Sequence, residues 1–261
     1  MGVNTRTRSK RRRQDSAAAA DRARKVSYTR LRNPFPAMDA VSADEARALH
    51  HTSLRVLEDL GMRVLLPEAL KLFAEAGARV EGETVFLGRE IVEAALESAP
   101  RRFVLRGAAP ERDLEIFPGA LTFQPGAGAP HATCRVKGRR PGTAQDFRDL
   151  VQLTQHFDAL HLVPTLTEPQ DVPTHLRHYE MVKAALTLSD KAFFIYSRGT
   201  AQVQDAFEMT RRYRGLTREA FETDPHCYTI INTNSPRTLD RPMAQGIIDF
   251  ARAGQISIIT P

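Results

Sequence analysis

The chain has 261 residues, 42% of them hydrophobic and 26% charged, which is typical of a folded globular protein with a sizeable core. It has no run of about 18 apolar residues and no apolar segment after its basic start, so we predict neither a transmembrane helix nor a secretory signal. Two cysteines cannot form a disulfide framework, so we expect a reducing, cytoplasmic setting.

The net charge of +6 is unevenly distributed along the chain. Residues 1–30 contain ten Lys or Arg and two Asp, so this segment carries +8 and the remainder carries −2. The segment has few large apolar residues, and we predict a disordered basic tail. The run Lys10–Arg13 leaves nucleic-acid binding open as an alternative, although no aromatic residues are interleaved with the basic ones for base stacking.

Residues 31–115 have the pattern of a small α+β region. Ser42 and Glu45 form a capping-box sequence that predicts the start of a helix, and Gly61 predicts its end. Pro67 suits the first turn of a second helix. The pattern further predicts a hairpin over 80–87, a helix over 91–99 and a strand over 103–105.

Two further hairpins are predicted before the pattern changes. One joins 114–117 to 120–123 across a Pro-Gly pair, and the other turns at Gly138. Between them, the glycine-rich segment 124–130 lacks the residue order of a phosphate loop. We expect it either to approach a ligand closely or simply to form a demanding turn.

From residue 143 onward, apolar strands alternate with helices, which predicts a parallel sheet in an α/β fold. The predicted strands are 161–165, 192–196, 228–232 and 256–260, and the helices are 143–158, 174–188, 202–213 and 243–253. A (β/α)8 barrel has eight such units. Doubly wound and barrel folds both fit this alternation. About four units are present, so we expect truncation of a longer parent chain, with a complete small α/β domain as the alternative.

Polar residues follow the predicted strands, where parallel α/β sheets place their functional sites. They are Thr165, Thr167, Glu168, Ser197, Arg198, Asn232, Thr233, Asn234, Ser235 and Thr260. These residues could bind a polar ligand or only cap the next helix. The histidines and cysteines lack the spacing of a structural zinc site, so we predict no metal site. No sequence context indicates a nucleophilic Ser or Cys or a Schiff-base lysine.

Five segments together resemble the trimethylamine–corrinoid methyltransferase family over about 42–261. They are 48–64, 69–80, the loop Phe123–Pro130, Glu168–Pro173 and Asn232–Pro236. The resemblance implies a TIM barrel with an N-terminal elaboration, of which this chain is the N-terminal half. We therefore predict a partial TIM (β/α)8 barrel of about four units over 116–261, preceded by the α+β region 31–115. Founding members carry pyrrolysine, which would belong to the other half, while further members lack it and resemble quaternary-amine demethylases.

The resemblance also implies transfer of a methyl group from trimethylamine, or from a quaternary amine such as a betaine, to cobalt. The corrinoid would be carried by a partner protein rather than bound directly, and the full-length enzyme would form a homo-oligomer. An inactive fragment of such an enzyme and a nucleic-acid-binding module led by the basic tail are the alternatives.

On this basis we predict the substrate contacts but assign no catalytic residue. Two aromatic rings would enclose the cation, two glycines would permit close backbone approach, and three polar side chains would bind a substituent such as a carboxylate. The predicted contacts are Phe123, Gly126, Gly128, Tyr196, Asn232, Asn234 and Ser235.

Overall fold

A computed structural model describes residues 31–35 and 38–260. The basic segment 1–30, predicted to be disordered, lies outside the described residues. The helices are α1 (Ala43–Arg55), α2 (Pro67–Glu75), α3 (Arg89–Ser98), α4 (Ala144–His156), α5 (Arg177–Leu188), α6 (Thr200–Tyr213), α7 (Arg218–Thr223) and α8 (Arg241–Arg252). None of these described helices is long and apolar enough to cross a bilayer.

The strands form two four-stranded sheets and two hairpins. They are β1 (Met62–Val64), β2 (Arg79–Glu81), β3 (Thr84–Phe86), β4 (Phe103–Leu105), β5 (Leu114–Ile116), β6 (His131–Cys134), β7 (Gly138–Pro141), β8 (Leu162–Val163), β9 (Ala192–Phe194), β10 (Cys227–Asn232), β11 (Thr238–Leu239) and β12 (Ile256–Thr260). The chain is therefore a mixed α/β protein, and its described residues form no closed barrel.

The N-terminal region confirms the local signals of the sequence. Ser42 accepts a hydrogen bond from the Glu45 backbone, and the Glu45 carboxylate accepts one from the Ser42 backbone, which completes the capping box. After a π-helical turn, Gly61 adopts φ +65°. A Cβ there would lie 2.8 Å from the Val85 carbonyl oxygen, so glycine meets a conformational and a steric demand together.

The predicted hairpin between 114–117 and 120–123 is wrong. A 3₁₀ turn at Pro110–Arg112 reverses the chain earlier, so β5 pairs with β4 and Leu114 lies opposite Leu105. Residues 120 and 121 instead contact the start of the described chain, where Leu121 donates to the Leu31 carbonyl at 2.9 Å. The second predicted hairpin is confirmed as β6 and β7.

The parallel sheet has the order β8-β9-β10-β12 and confirms the predicted alternation of strands and helices. Its outer face packs on the helices through residues such as Val163, Phe193 and Cys227. Its inner face carries Phe194 and Tyr228, which pack against the β4–β5 hairpin. This hairpin therefore covers the amino end of the inner face.

The short strand β11 is the edge strand of the N-terminal sheet and has no signal in the local sequence. After β10 the chain crosses to the N-terminal region, where β11 pairs in parallel with β1. Leu239 of β11 and Ile231 of β10 share one hydrophobic core with Val64 and Val85. The N-terminal sheet and the parallel sheet therefore have a common core.

A buried histidine lies at the amino end of β10. The guanidinium of Arg214 contacts Nδ1 of His226 at 2.9 Å, and the imidazole stacks on Phe221 with 5.6 Å between ring centroids. Because arginine can only donate, Nδ1 must accept and the ring is neutral. Burial, with Arg214 as a smaller cause, lowers the pKa of His226 to about 4.

We predict that this histidine makes folding sensitive to acid. Its pKa rises from about 4 in the folded chain to about 6.5 on unfolding, so protonation favours the unfolded chain as the pH falls through this window. Between pH 7.5 and pH 5 the loss of stability from His226 should reach about 2 kcal/mol. Urea unfolding of the wild type and His226→Gln at both pH values measures it.

The glutamine variant should lose less stability on acidification than the wild type, because its amide still accepts from Arg214 but does not titrate. As a control, His50→Gln at an exposed position should lose as much stability between pH 7.5 and pH 5 as the wild type does. An equal loss in the wild type and His226→Gln would contradict the assignment.

Candidate functional site

A cavity of about 350 Å³ opens at the carboxyl end of the inner face of the parallel sheet. Thr165 follows β8, Tyr196 follows β9 and Asn232 ends β10. Side chains alternate between the faces of a strand, so Phe194 and Tyr196 share the inner face, as do Ile230 and Asn232. The lining residues are Ala127, Gly128, Thr165, Phe194, Tyr196, Ser197, Arg198, Ile230, Asn232 and Met243.

The glycine-rich segment forms one wall of this cavity. It runs alongside the extension of β8, where Gly128 donates to the Thr165 carbonyl at 2.7 Å and Glu168 donates to the Ala129 carbonyl at 2.8 Å. Gly128 has φ +79°, and a Cβ there would lie 3.2 Å from the Tyr196 hydroxyl. Gly128 therefore lies close to the Tyr196 side chain, while the approach of this segment to a ligand stays a prediction.

Tyr196 is the central aromatic residue of the cavity. Its ring packs edge-on against Phe194 with centroids 4.9 Å apart, and Phe194 in turn packs edge-on against Tyr228 at 5.7 Å. The buried hydroxyls of Tyr196 and Thr165 lack a well-oriented hydrogen-bond partner in the described part of the chain. Burial raises the pKa of Tyr196, so the phenol stays protonated and can donate to a ligand.

Arg198 brings a positive charge to the same cavity. Its guanidinium carbon lies 3.8 Å from the centroid of the Tyr196 ring, and its Nη2 donates to Oε1 of Glu168. Glu168 is only 8% exposed, and Arg177 lies on its other oxygen at 3.6 Å. The hydrogen bond from Arg198 is the largest cause that lowers the pKa of Glu168. One carboxylate thus lies between two guanidinium groups.

Only the first residue of the motif Asn232–Pro236 reaches the cavity. The Asn234 amide donates to Asp240 at 2.8 Å, and its backbone forms a bridge to Thr238. Ser235 is exposed in the same turn. This turn leads into β11, so Asn234 and Ser235 lie on the connection to the N-terminal sheet.

Phe123 and Gly126 do not line this cavity. Phe123 stacks on His161 with centroids 6.1 Å apart, and its backbone donates to Nδ1 of His161 at 2.9 Å. His161 precedes β8, so Phe123 is at the amino end of the sheet, whereas Tyr196 is at the carboxyl end. A side chain at Gly126 would meet open space. The cavity thus unites Gly128, Tyr196 and Asn232 of the seven predicted contacts.

Other reactive groups have structural roles. Asp171 accepts from the Ala144 backbone at 2.8 Å at the start of α4. The Lys191 amine is buried and donates to the carbonyls of Thr154 at 2.5 Å and Phe157 at 2.9 Å, where α4 ends. Within the ranges 31–35 and 38–260, no three His, Cys, Asp or Glu side chains converge as metal ligands would.

Comparison with known proteins finds methyltransferases in each case. The family model of trimethylamine methyltransferase matches residues 5–261, so the match begins within the basic segment and ahead of residue 42, where we expected the likeness to start. A glycine betaine methyltransferase of Desulfitobacterium hafniense strain Y51 is 32% identical over 226 residues, which are 86% of this chain and 47% of that protein.

Two further relatives act on different amines according to their names. A trimethylamine methyltransferase of Desulfitobacterium hafniense strain DSM 10664 / DCB-2 is 28% identical over 82% of this chain and 43% of its own length. An L-carnitine:corrinoid methyltransferase of Eubacterium limosum is 41% identical over 24% of this chain and 13% of its own length. The chain spans about half the length of the first two of these relatives.

The two tyrosines of the inner face should respond oppositely to loss of the hydroxyl. Tyr196→Phe removes a buried polar atom without a well-oriented partner, so the ligand-free chain should be as stable as the wild type or more stable by up to about 1 kcal/mol. Tyr228→Phe removes the hydrogen bond to Gln124 at 2.5 Å and should cost about 1 kcal/mol. Urea unfolding at pH 7.5 compares them, and a larger loss in Tyr196→Phe would contradict this description of the cavity.

Proposed function

The chain belongs to the trimethylamine methyltransferase family, and we propose that it carries the substrate-binding part of an enzyme that demethylates a quaternary amine. The methyl group would pass to the cobalt of a corrinoid on a partner protein in the cytoplasm. The cavity at the carboxyl end of the parallel sheet carries this proposal. It joins aromatic rings, buried hydroxyls that lack well-oriented partners and an amide in a space suited to a small methylated amine.

We further propose that residues 116–261 form the first half of a (β/α)8 barrel, with the parallel sheet as four of its strands and 31–115 as an elaboration at its amino end. Three observations support this architecture. The four strands are parallel, the outer face is covered by helices, and the β4–β5 hairpin packs on the amino end of the inner face. In such barrels the active site lies at the carboxyl end, where the cavity is.

The chemistry of a quaternary amine explains why the cavity needs no acid or base. When the bond from nitrogen to a methyl carbon breaks, the electron pair stays on nitrogen and a neutral tertiary amine leaves. A reduced corrinoid would supply the nucleophile that takes the methyl group. The protein then has to hold the ammonium group, orient one methyl carbon toward the opening and exclude water.

The side chains of the cavity fit these tasks. The rings of Phe194 and Tyr196 offer apolar, electron-rich surfaces to N-methyl groups. Gly128 has no side chain to fill the space beside Tyr196. Asn232 can hydrogen-bond a polar substituent. A space of about 350 Å³ suits a small amine and not a corrinoid, which agrees with a corrinoid held by the partner. Phe123, Gly126, Asn234 and Ser235 lie outside this space and receive no contact in the proposal.

Calorimetric titration of the chain with tetramethylammonium and glycine betaine tests the proposal. The wild type should bind glycine betaine, and Tyr196→Leu should weaken binding about 3–30-fold because a cation–π contact is lost. Phe123→Leu is the matched control, since it removes an aromatic ring at the other end of the sheet and should leave affinity unchanged. Absence of binding to both ligands, or an equal loss in Phe123→Leu, would contradict the proposal.

A further inference from the structure

The hairpin of β6 and β7 concentrates positive charge on a chain that is otherwise slightly acidic. Residues 116–145 contain no Asp or Glu, while the hairpin carries Arg135, Lys137, Arg139 and Arg140. Residues 31–261 have a net charge of −2, so these cations are a local feature. None of them lines the cavity, and binding of a small amine there does not account for them.

Ion pairs within the described ranges neutralise only the base of the hairpin. Arg140 donates from both terminal nitrogens to the two carboxylate oxygens of Asp146, which precedes no other charge in the hairpin. Arg135, Lys137 and Arg139 are exposed and form no ion pair in that part of the chain. The tip of the hairpin therefore presents three unbalanced positive charges to its surroundings.

The base of the hairpin lies beside the cavity. Gly128 lines the cavity, and the next residue, Ala129, pairs with Thr167 on the extension of β8. At the other end of the hairpin, Gly142 donates to the Pro130 carbonyl at 3.0 Å. A strand of four residues spans about 13 Å, so the tip lies about that far from the base. An interface of standard size covers about 800 Å² of each partner, a disc of about 16 Å radius, so a protein over the cavity can also reach the tip.

The tip has the composition of a protein contact. Val136 is 92% exposed and lies between two cations in the sequence, Arg135 and Lys137. The register of the two strands and a hydrogen bond from the Lys137 amide to Sγ of Cys134 at 3.1 Å order the turn, which limits the entropic cost of binding. An apolar side chain flanked by cations fits an acidic protein surface with an apolar centre.

Nucleic acid fits this surface less well. The hairpin has no Phe, Tyr or Trp on which a base could stack. Without the hairpin, the described part of the chain has a net negative charge, which would repel a phosphate backbone that continues past the tip.

We propose that the β6–β7 hairpin is a docking surface for the protein that carries the methyl acceptor, and that it contacts an acidic patch on that protein. This inference rests on the proposed function and adds the surface through which the partner binds. The partner has to leave after each transfer. Attraction between exposed charges suits such a contact, because it accelerates association without requiring slow dissociation.

Binding of a purified, cobalamin-loaded corrinoid protein of Eubacterium limosum to the full chain tests this surface. Affinities are measured by biolayer interferometry at about 20 mM and about 300 mM salt, where exposed charges are weakly and strongly screened. The tip variant is Arg135→Gln/Lys137→Gln. The control, Arg101→Gln/Lys183→Gln, also removes two exposed cations, which lie outside the hairpin and the cavity. All variants keep residues 1–30, so a difference between them reports the hairpin.

We expect the tip variant to bind the corrinoid protein about 2–30-fold more weakly than the wild type at low salt, the range for loss of two exposed charge pairs. The difference should shrink at high salt, and the control should bind like the wild type. Calorimetric titration with glycine betaine should give the same affinity in the tip variant and the wild type, because the tip does not line the cavity. Urea unfolding establishes that each variant is folded.

The contrary results are distinguishable. No binding of the corrinoid protein by the wild type, or equal affinities of the tip variant and the control, would reject the hairpin as its docking surface, while intact betaine binding would leave the proposed substrate site standing. An equal loss toward serum albumin, an acidic protein without a corrinoid, would reject a specific surface. An equal loss toward a DNA duplex would assign the hairpin to nucleic acid instead. Failure of the wild type to bind glycine betaine and tetramethylammonium would reject the proposed function and the inference with it.

Discussion

The parallel pairing of four strands is the constraint on which the site depends. Parallel pairing brings the carboxyl ends of β8, β9 and β10 to one edge, and the alternation of side chains directs Tyr196 and Asn232 to the same face. The outer face is sealed by helices and the amino end by the β4–β5 hairpin. The inner carboxyl edge is therefore where polar and aromatic side chains meet an open cavity.

The ion pairs at this edge hold the Arg198 guanidinium in place. Glu168 is buried and holds Arg198 over Tyr196 while Arg177 contacts its other oxygen. The buried hydroxyls of Tyr196 and Thr165 lack well-oriented partners, which is a cost in the ligand-free chain. Buried polar atoms that are costly without a ligand are the feature that supports our proposal of a binding site at this edge.

Much of the fold could be predicted from local patterns, since capping residues, prolines, glycines and apolar periodicity act within one element. The capping box at Ser42 and the strand 256–260 are examples. The pairing of β5 with β4 and of β11 with β1 could not, because it depends on segments that meet only in the folded chain. The same distinction between local and long-range determinants applies to the residues of the site. Tyr196 and Asn232 followed from their places at strand ends, whereas the contact of Gly128 with Tyr196 joins distant segments.

The most direct test of the account is the position of a bound N-methyl group. Nuclear Overhauser contacts between the methyl protons of glycine betaine and the chain can be measured in solution. We predict contacts to the ring protons of Phe194 and Tyr196. Contacts to Phe123 at the other end of the sheet, without contacts to Tyr196, would contradict the account.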